Sequence, residues 1–338
     1  MAAALLVEQG YEVIGVMMRL WAEEGPGGST NRCCSIEAMG DARCVCSALD
    51  IPFYLVNYER EFKAEVVDFF IAEYTRGRTP NPCLACNRHI KFDLLLRGAL
   101  DMGAQYLATG HYARVRRVDG CYQLLKGCDR EKDQSYVLYM LGQEELRHLL
   151  LPLGDYTKEQ VRAMARQRGL PVADRTESQD LCFLADNDYR RFLRVHAPEA
   201  IRPGPILDTA GRVIGEHKGL PFYTIGQREG VGIAASEALY VMEIDVTRNA
   251  LVVGTKGELG RRELIATEVN YVSGRVPQEP LEITAKIRYK AVEAQALLLP
   301  LGDGRARVTF AQPQRDITPG QGVVFYQGEA VLGGGIIS

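Results

Sequence analysis

Strands alternating with helices over the first part, and short segments punctuated by Gly and Pro over the last, predict an α/β chain. An open parallel sheet comes first and a small antiparallel barrel last. Two observations carry this prediction. Val13-Ile14-Gly15-Val16-Met17-Met18 and Phe53-Tyr54-Leu55-Val56 are continuous apolar runs, the pattern of strands buried on both faces. Ile283, Ala285, Ile287 and Tyr289 alternate with Thr284, Lys286, Arg288 and Lys290, the pattern of a half-buried strand with its polar side chains on an exposed face.

The elements follow in order. Ala2 to Gln9 reads as the end of a helix stopped by Gly10. After the first strand, Gly25-Pro26-Gly27-Gly28-Ser29 reads as an ordinary loop, and Ile36 to Leu49 as a helix. Phe62, Val66, Phe69 and Phe70 share one helical face. Phe92, Leu95, Leu96, Ala99 and Leu100 mark the next helix, ended near Gly103. Tyr106-Leu107-Ala108-Thr109 is a third strand with Gly110-His111 at its carboxyl end, and ligands of open α/β sheets sit beyond such ends. Met18 ends its own strand in the same way. Thr157-Lys158-Glu159-Gln160 is a capping-box helix start, with Gly169 and Pro171 as the stop.

A length of 338 residues suits two domains or three. The 46% hydrophobic and 25% charged content is that of a globular chain able to bury an ordinary core. No apolar run reaches the length of a membrane span, and Met1 to Gly10 lacks the basic start of a signal peptide, so the expected compartment is the cytoplasm. The net charge of -3 neither advertises nucleic-acid binding nor excludes it, because a local basic face suffices for phosphate contact.

The nine cysteines are Cys33, Cys34, Cys44, Cys46, Cys83, Cys86, Cys121, Cys128 and Cys182. An odd count in a large chain without a secretory signal argues against a disulfide framework and for catalytic, redox or metal roles. Cys83 and Cys86 stand out, in a loop opened by Pro80 and Pro82 at a helix entry. Locally they are either a metal clip or a pair of reactive thiols. Cys44 and Cys46 do not complete a four-cysteine zinc site, since two positions apart on a helix they point about 200° from each other. Cys33 and Cys34 read as structural, and Cys121 and Cys128 flank a hairpin and carry no motif.

Several segments match one family together. They are Gly77-Arg78-Thr79-Pro80-Asn81-Pro82-Cys83-Leu84-Ala85-Cys86-Asn87 with Ile90-Lys91-Phe92, then Ala108-Thr109-Gly110-His111-Tyr112, Lys132-Asp133-Gln134-Ser135-Tyr136 and Cys182-Phe183. Further on come Gly226-Gln227-Arg228, Thr318-Pro319-Gly320-Gln321 and Gly333-Gly334-Gly335-Ile336-Ile337. From about residue 2 to its end the chain resembles the bacterial tRNA-specific 2-thiouridylases, the MnmA family.

The resemblance implies an adenine-nucleotide alpha-hydrolase-like (PP-loop) domain over 1–148 with 171–188, a central tRNA-contacting domain over 149–170 with 189–255, and a C-terminal β-barrel over 256–338. It implies ATP-dependent replacement of the C2 oxygen of the wobble uridine of tRNA by sulfur from a cysteine persulfide. ATP with Mg2+ activates that oxygen, and a sulfur-carrier protein or cysteine desulfurase donates the sulfur. By the same resemblance Cys86 is the nucleophile, Cys182 the persulfide carrier, and the two form a redox disulfide. Asn81, Pro82 and Cys83 fill the target-base region; family members carry Asp or Cys at the place of Cys83, whose role stays open. Met18 and Gly110 match ATP-contacting positions, and His111, Lys132, Asp133, Gln134, Arg288, Tyr289 and Gln321 match tRNA-contacting ones.

The family begins with a strand and a Ser-Gly-Gly-x-Asp-Ser loop that wraps the ATP pyrophosphate at a helix N-terminus. This sequence contains no such loop and opens inside the helix that should follow it. The expectation is that Met1 marks a start assigned too late, that a central strand is missing, and that the polypeptide as written binds ATP poorly and lacks thiolation activity. Three alternatives stay open: an iron–sulfur-dependent thiolase with Cys83, Cys86 and Cys182 as ligands, a non-catalytic tRNA-binding or sulfur-relay protein, and a small-molecule ATP-dependent ligase.

Overall fold

The computed structural model describes residues 1–23, 36–170 and 181–338. Cys33, Cys34, the Gly25–Ser29 stretch and Pro171 lie outside the described residues. No helix among the described residues is long and apolar enough to cross a membrane.

Helix α1 (Ala2–Glu8) ends where Gly10 takes a left-handed φ of 84°, the conformation that glycine adopts without a Cβ penalty. Strand β1 (Gly15–Arg19), helix α2 (Ile36–Ala48) and strand β2 (Phe53–Asn57) follow, and β1 pairs with β2 in parallel, Met18 opposite Val56. The next helix is wound in three styles: α3 (Glu59–Phe62), a π-wound stretch over Lys63–Asp68, and α4 (Phe69–Thr75). The wider π turn favours four-residue spacing on one face. Phe62, Val66 and Phe70 are accordingly buried, whereas Phe69, expected inside, is 40% exposed.

After α5 (Pro82–Ala85) a second π-wound stretch, Cys86–Leu95, runs into α6 (Leu96–Asp101). Strand β3 is only Leu107–Ala108. Hairpin β4 (Ala113–Val118) and β5 (Cys121–Lys126) turns at Asp119-Gly120, both with positive φ, as a two-residue hairpin turn demands. Helix α7 (Gln143–Arg147) leads into β6 (Leu149–Leu150), the parallel partner of β3. Helix α8 (Lys158–Gln167) starts at the expected capping box, Thr157 Oγ1 accepting from the Gln160 amide at 3.2 Å. Its Val161 packs in a cluster with Leu5 of α1, and its Ala165 in one with Ala4.

The expected single parallel sheet is interrupted. Among the described residues β1–β2 and β3–β6 are separate two-stranded parallel sheets. The apolar runs expected to be buried on both faces are partly open, with Val16 at 38% and Tyr54 at 58% exposure. Val16 and Tyr54 are opposite one another in the ladder and project from one face, which is open at this pair.

Helix α9 (Tyr189–His196) leads to a four-stranded sheet, ordered β8 (Val213–His217), β7 (Gly204–Leu207), β10 (Ala250–Thr255), β9 (Leu239–Asp245). Its Ile206, Val241, Leu251 and Val253 share one core with Phe62, Phe70, Ile90 and Phe183. The last strands are β11 (Arg261–Tyr271), β12 (Leu281–Lys286), β13 (Ala294–Gly302), β14 (Arg305–Gln314), β15 (Gly322–Gln327) and β16 (Ala330–Ile337). They run in the order β11-β14-β13-β12-β15-β16, and β16 pairs back to β11, closing the expected antiparallel barrel. At Gly334 an added Cβ would stand 2.6 Å from the Val323 carbonyl and 2.7 Å from the Tyr139 ring, so the triple glycine marks a close strand path. Hairpin β4–β5 joins this barrel sheet through β5–β16, Ala330 opposite Leu125, which fixes the segment after β5 against the barrel.

Ile283, Ala285 and Ile287 are buried as their alternation predicts. The exposed basic face expected beside them is not formed. Strand β12 ends at Lys286, the chain turns at Arg288 with the Ala291 amide on its carbonyl, and Lys286 and Arg288 are partly buried. Burial lowers the pKa of both groups.

Candidate active site

The segment that presents Cys83 and Cys86 is fastened to all three parts of the fold. Asn81 caps α5, its side chain accepting from the Cys83 amide at 3.0 Å, and Pro82 occupies the first turn, where its missing N–H costs nothing. Upstream, the Arg78 side chain donates to Glu73 at 2.7 Å and to the Ile337 carbonyl of the barrel at 3.0 Å. Thr79 donates its amide to Pro319 O at 2.9 Å, and its carbonyl accepts from the Gln321 side chain at 2.7 Å. Its hydroxyl meets that of Thr224, from the segment after β8, at 3.2 Å. Gly320 allows this approach: a Cβ there would lie 3.0 Å from both Thr79 N and Thr79 O. Helix α5 itself is wedged between two cores, Leu84 in one and Ala85 and Cys86 in the other.

Cys86 and Cys182 border one apolar cluster. Cys86 is buried at 8% exposure, and the half-buried Cys182 packs against the same cluster, with Phe183 and Leu184 inside it. Cys83 faces solvent, although it is three residues from Cys86. The local pair is thus divided between surface and core, and Cys86 belongs to the same extended apolar cluster as Cys182, far along the chain. Among the described residues no three His, Cys, Asp or Glu side chains converge as a metal site. Nothing among the described residues supports an iron–sulfur site on Cys83, Cys86 and Cys182.

Met18 lies at the carboxyl end of β1, against the same core as Cys86. Gly110 follows β3, where an added Cβ would meet only Leu153 Cδ1, at 3.6 Å, leaving backbone open to a ligand. His111 is buried, its Nδ1 2.8 Å from the Thr109 hydroxyl and its ring 5.9 Å from that of Phe92. Burial, and secondarily the charge of Lys91, lowers its pKa to about 3, so the imidazole is neutral at physiological pH.

Most residues matched to tRNA contact are engaged within the protein. The buried Asp133 carboxylate accepts from the Gly127 amide at 2.9 Å, the Ser135 amide at 3.1 Å and the Ser135 hydroxyl at 2.8 Å. Gln134 exchanges two bonds with Tyr112, donating its amide to the Tyr112 carbonyl at 2.8 Å and accepting the Tyr112 amide on its side chain at 3.0 Å. Lys132 donates its own amide to Asp129. Arg288 donates to Ile225 O at 2.9 Å, in the segment between β8 and β9, and to the Thr318 hydroxyl. Tyr289 lies edge-on to Tyr136, 6.0 Å between ring centroids. Gln321 thus braces the cysteine loop itself, Arg288 ties together the segments beside it, and Asp133 and Gln134 hold the backbone of Tyr112, Gly127 and Ser135. Sequence reasoning missed the other braces, Thr79, Thr224 and Glu73, because nothing in their spacing shows which distant backbone they meet.

Residues 1–186 match the tRNA methyl transferase HUP domain, residues 190–255 the tRNA methyl transferase PRC-barrel domain, and residues 261–337 the aminomethyltransferase β-barrel domain. The chain is 54% identical to the tRNA-specific 2-thiouridylase MnmA of Moorella thermoacetica, over 99% of this chain and 95% of that protein. The chain belongs to the MnmA family. The MnmA proteins of Carboxydothermus hydrogenoformans and Roseiflexus castenholzii are 52% and 50% identical, over 99% and 100% of this chain and 93% and 95% of theirs. This membership extends across all three parts of the fold, so the cysteine loop and the barrel residues that hold it belong to one MnmA architecture.

Proposed function

We propose that this chain is an ATP-dependent tRNA sulfurtransferase that installs 2-thiouridine at the wobble position, with Cys86 and Cys182 as its working thiols. The placement of both cysteines on one apolar cluster, beside a loop held from three sides, carries this reading. Met18 and Gly110 border the nucleotide, which takes Mg2+ on its polyphosphate. Adenylation of the C2 oxygen releases pyrophosphate and turns that oxygen into a leaving group. The outer sulfur of a Cys182 persulfide bonds to C2 as AMP departs. The Cys86 thiolate then attacks the inner sulfur, the S–S bond breaks, and its electron pair stays on the base as the thiocarbonyl. A Cys86–Cys182 disulfide remains and is reduced before the next turnover. A persulfide-donating carrier protein or cysteine desulfurase reloads Cys182.

Asn81 and Pro82 shape the base site, and the exposed Cys83 lies at its rim. Lys132, Tyr289, Arg288 and Gln321 meet the RNA at this junction, and the buried His111 and Asp133, with Gln134, act through the backbone around them. Mass spectrometry of wobble uridine in a deletion strain tests the reading. Cys86→Ser and Cys182→Ser should each abolish 2-thiouridine, and normal levels with either would remove that cysteine from its role.

A further inference from the structure

One buried carboxylate joins the segment after β1 to the segment after Cys182. Glu23 is 9% exposed, and its backbone amide donates to the Phe183 carbonyl at 3.0 Å. Its carboxylate accepts from Arg191 of α9 at 2.7 and 2.5 Å and from the Ala185 amide at 3.4 Å. The same guanidinium grips Asp186 at 2.6 and 3.0 Å. Residues 183, 185 and 186, directly after Cys182, are therefore fixed through Glu23 and Arg191. Phe183 completes the anchorage, its ring 5.3 Å from that of Phe70 and 5.6 Å from that of Phe192.

An exposed ion pair would mean little here, but this one is a planar fork on a buried acid. Removing one partner strands a buried charge. The Arg191 hydrogen bonds hold the Glu23 carboxyl below the ordinary range, which keeps the acid ionised. A structural pair could sit anywhere in the fold; this one fixes residues 183, 185 and 186, just after a thiol, and ties them to the segment that follows the Met18 strand.

We propose that Glu23 and Arg191 are positioning residues for the Cys182 thiol. They hold its segment against the cluster that contains Cys86, and they join that segment to the nucleotide-bordering end of β1. The inference rests on Cys182 being the sulfur carrier.

The test follows diamide-driven formation of the Cys86–Cys182 disulfide by mass spectrometry, with thiolation kinetics and melting on the same protein samples. Arg191→Gln should slow disulfide formation roughly tenfold or more, because small misplacements of a reacting group are costly. It should lower kcat while leaving the KM for tRNA near that of the parent. Alkylation of Cys121, remote from the clasp, serves as the reference and should not change. Arg191→Lys keeps the charge without the fork and should give an intermediate loss; it is decisive where Arg191→Gln does not fold. Disulfide formation and kcat within about twofold of the parent in a folded variant would overturn the proposal. Failure of the underlying reading looks different: the parent itself would carry no persulfide on Cys182, or Cys182→Ser would still thiolate.

Discussion

The side-chain amide of Gln321 donates to the backbone carbonyl of Thr79 across 2.7 Å, so a barrel residue holds the loop that leads to Cys83 and Cys86. The Thr79 amide returns a bond to Pro319, two residues before Gln321. A residue that met only RNA would leave this loop unchanged in RNA-free protein. Gln321→Ala should instead raise hydrogen exchange over residues 78–82 without any tRNA, and should cost about 1 kcal/mol in urea unfolding, the worth of one hydrogen bond. Unchanged exchange in that segment would show that the amide contact does not restrain the loop.

The Asp133 carboxylate gathers two amides and a hydroxyl of its own neighbourhood. Asp133→Ala strands the Gly127 and Ser135 amides and should destabilise by about 2–3 kcal/mol. Asp133→Asn keeps an acceptor oxygen and should lose about half as much. If both variants melt like the parent while tRNA affinity falls, the carboxylate works on RNA rather than on its loop.

Much of this frame was legible in the sequence. Gly110-His111 sits at a strand's carboxyl end, Thr157 and Gln160 form their capping box, and Ile283, Ala285 and Ile287 point into the barrel, because each depends on spacing within one segment. What spacing could not show was contact between distant segments. Arg288 and Lys286 lay in an alternating run that reads as an exposed basic face, yet the strand ends at Lys286 and Arg288 turns in to bond the Ile225 carbonyl, in the segment between β8 and β9. Phe69 failed for a local reason, since the π winding ahead of it changes which residues share a face. Glu23 and Arg191 carried no signal at all, being one acid and one base far apart in the chain.

His111 is buried neutral, with its pKa lowered to about 3 from an ordinary 6.5. The unfolded chain therefore takes up a proton below about pH 6.5 that the folded protein refuses down to about pH 3, so stability falls as pH falls through that window. The expected loss at pH 5 is roughly 2 kcal/mol relative to pH 8. His111→Gln should remove that share of the acid sensitivity, measured by urea unfolding at pH 5 and pH 8. An identical pH slope in the variant would place the titration elsewhere.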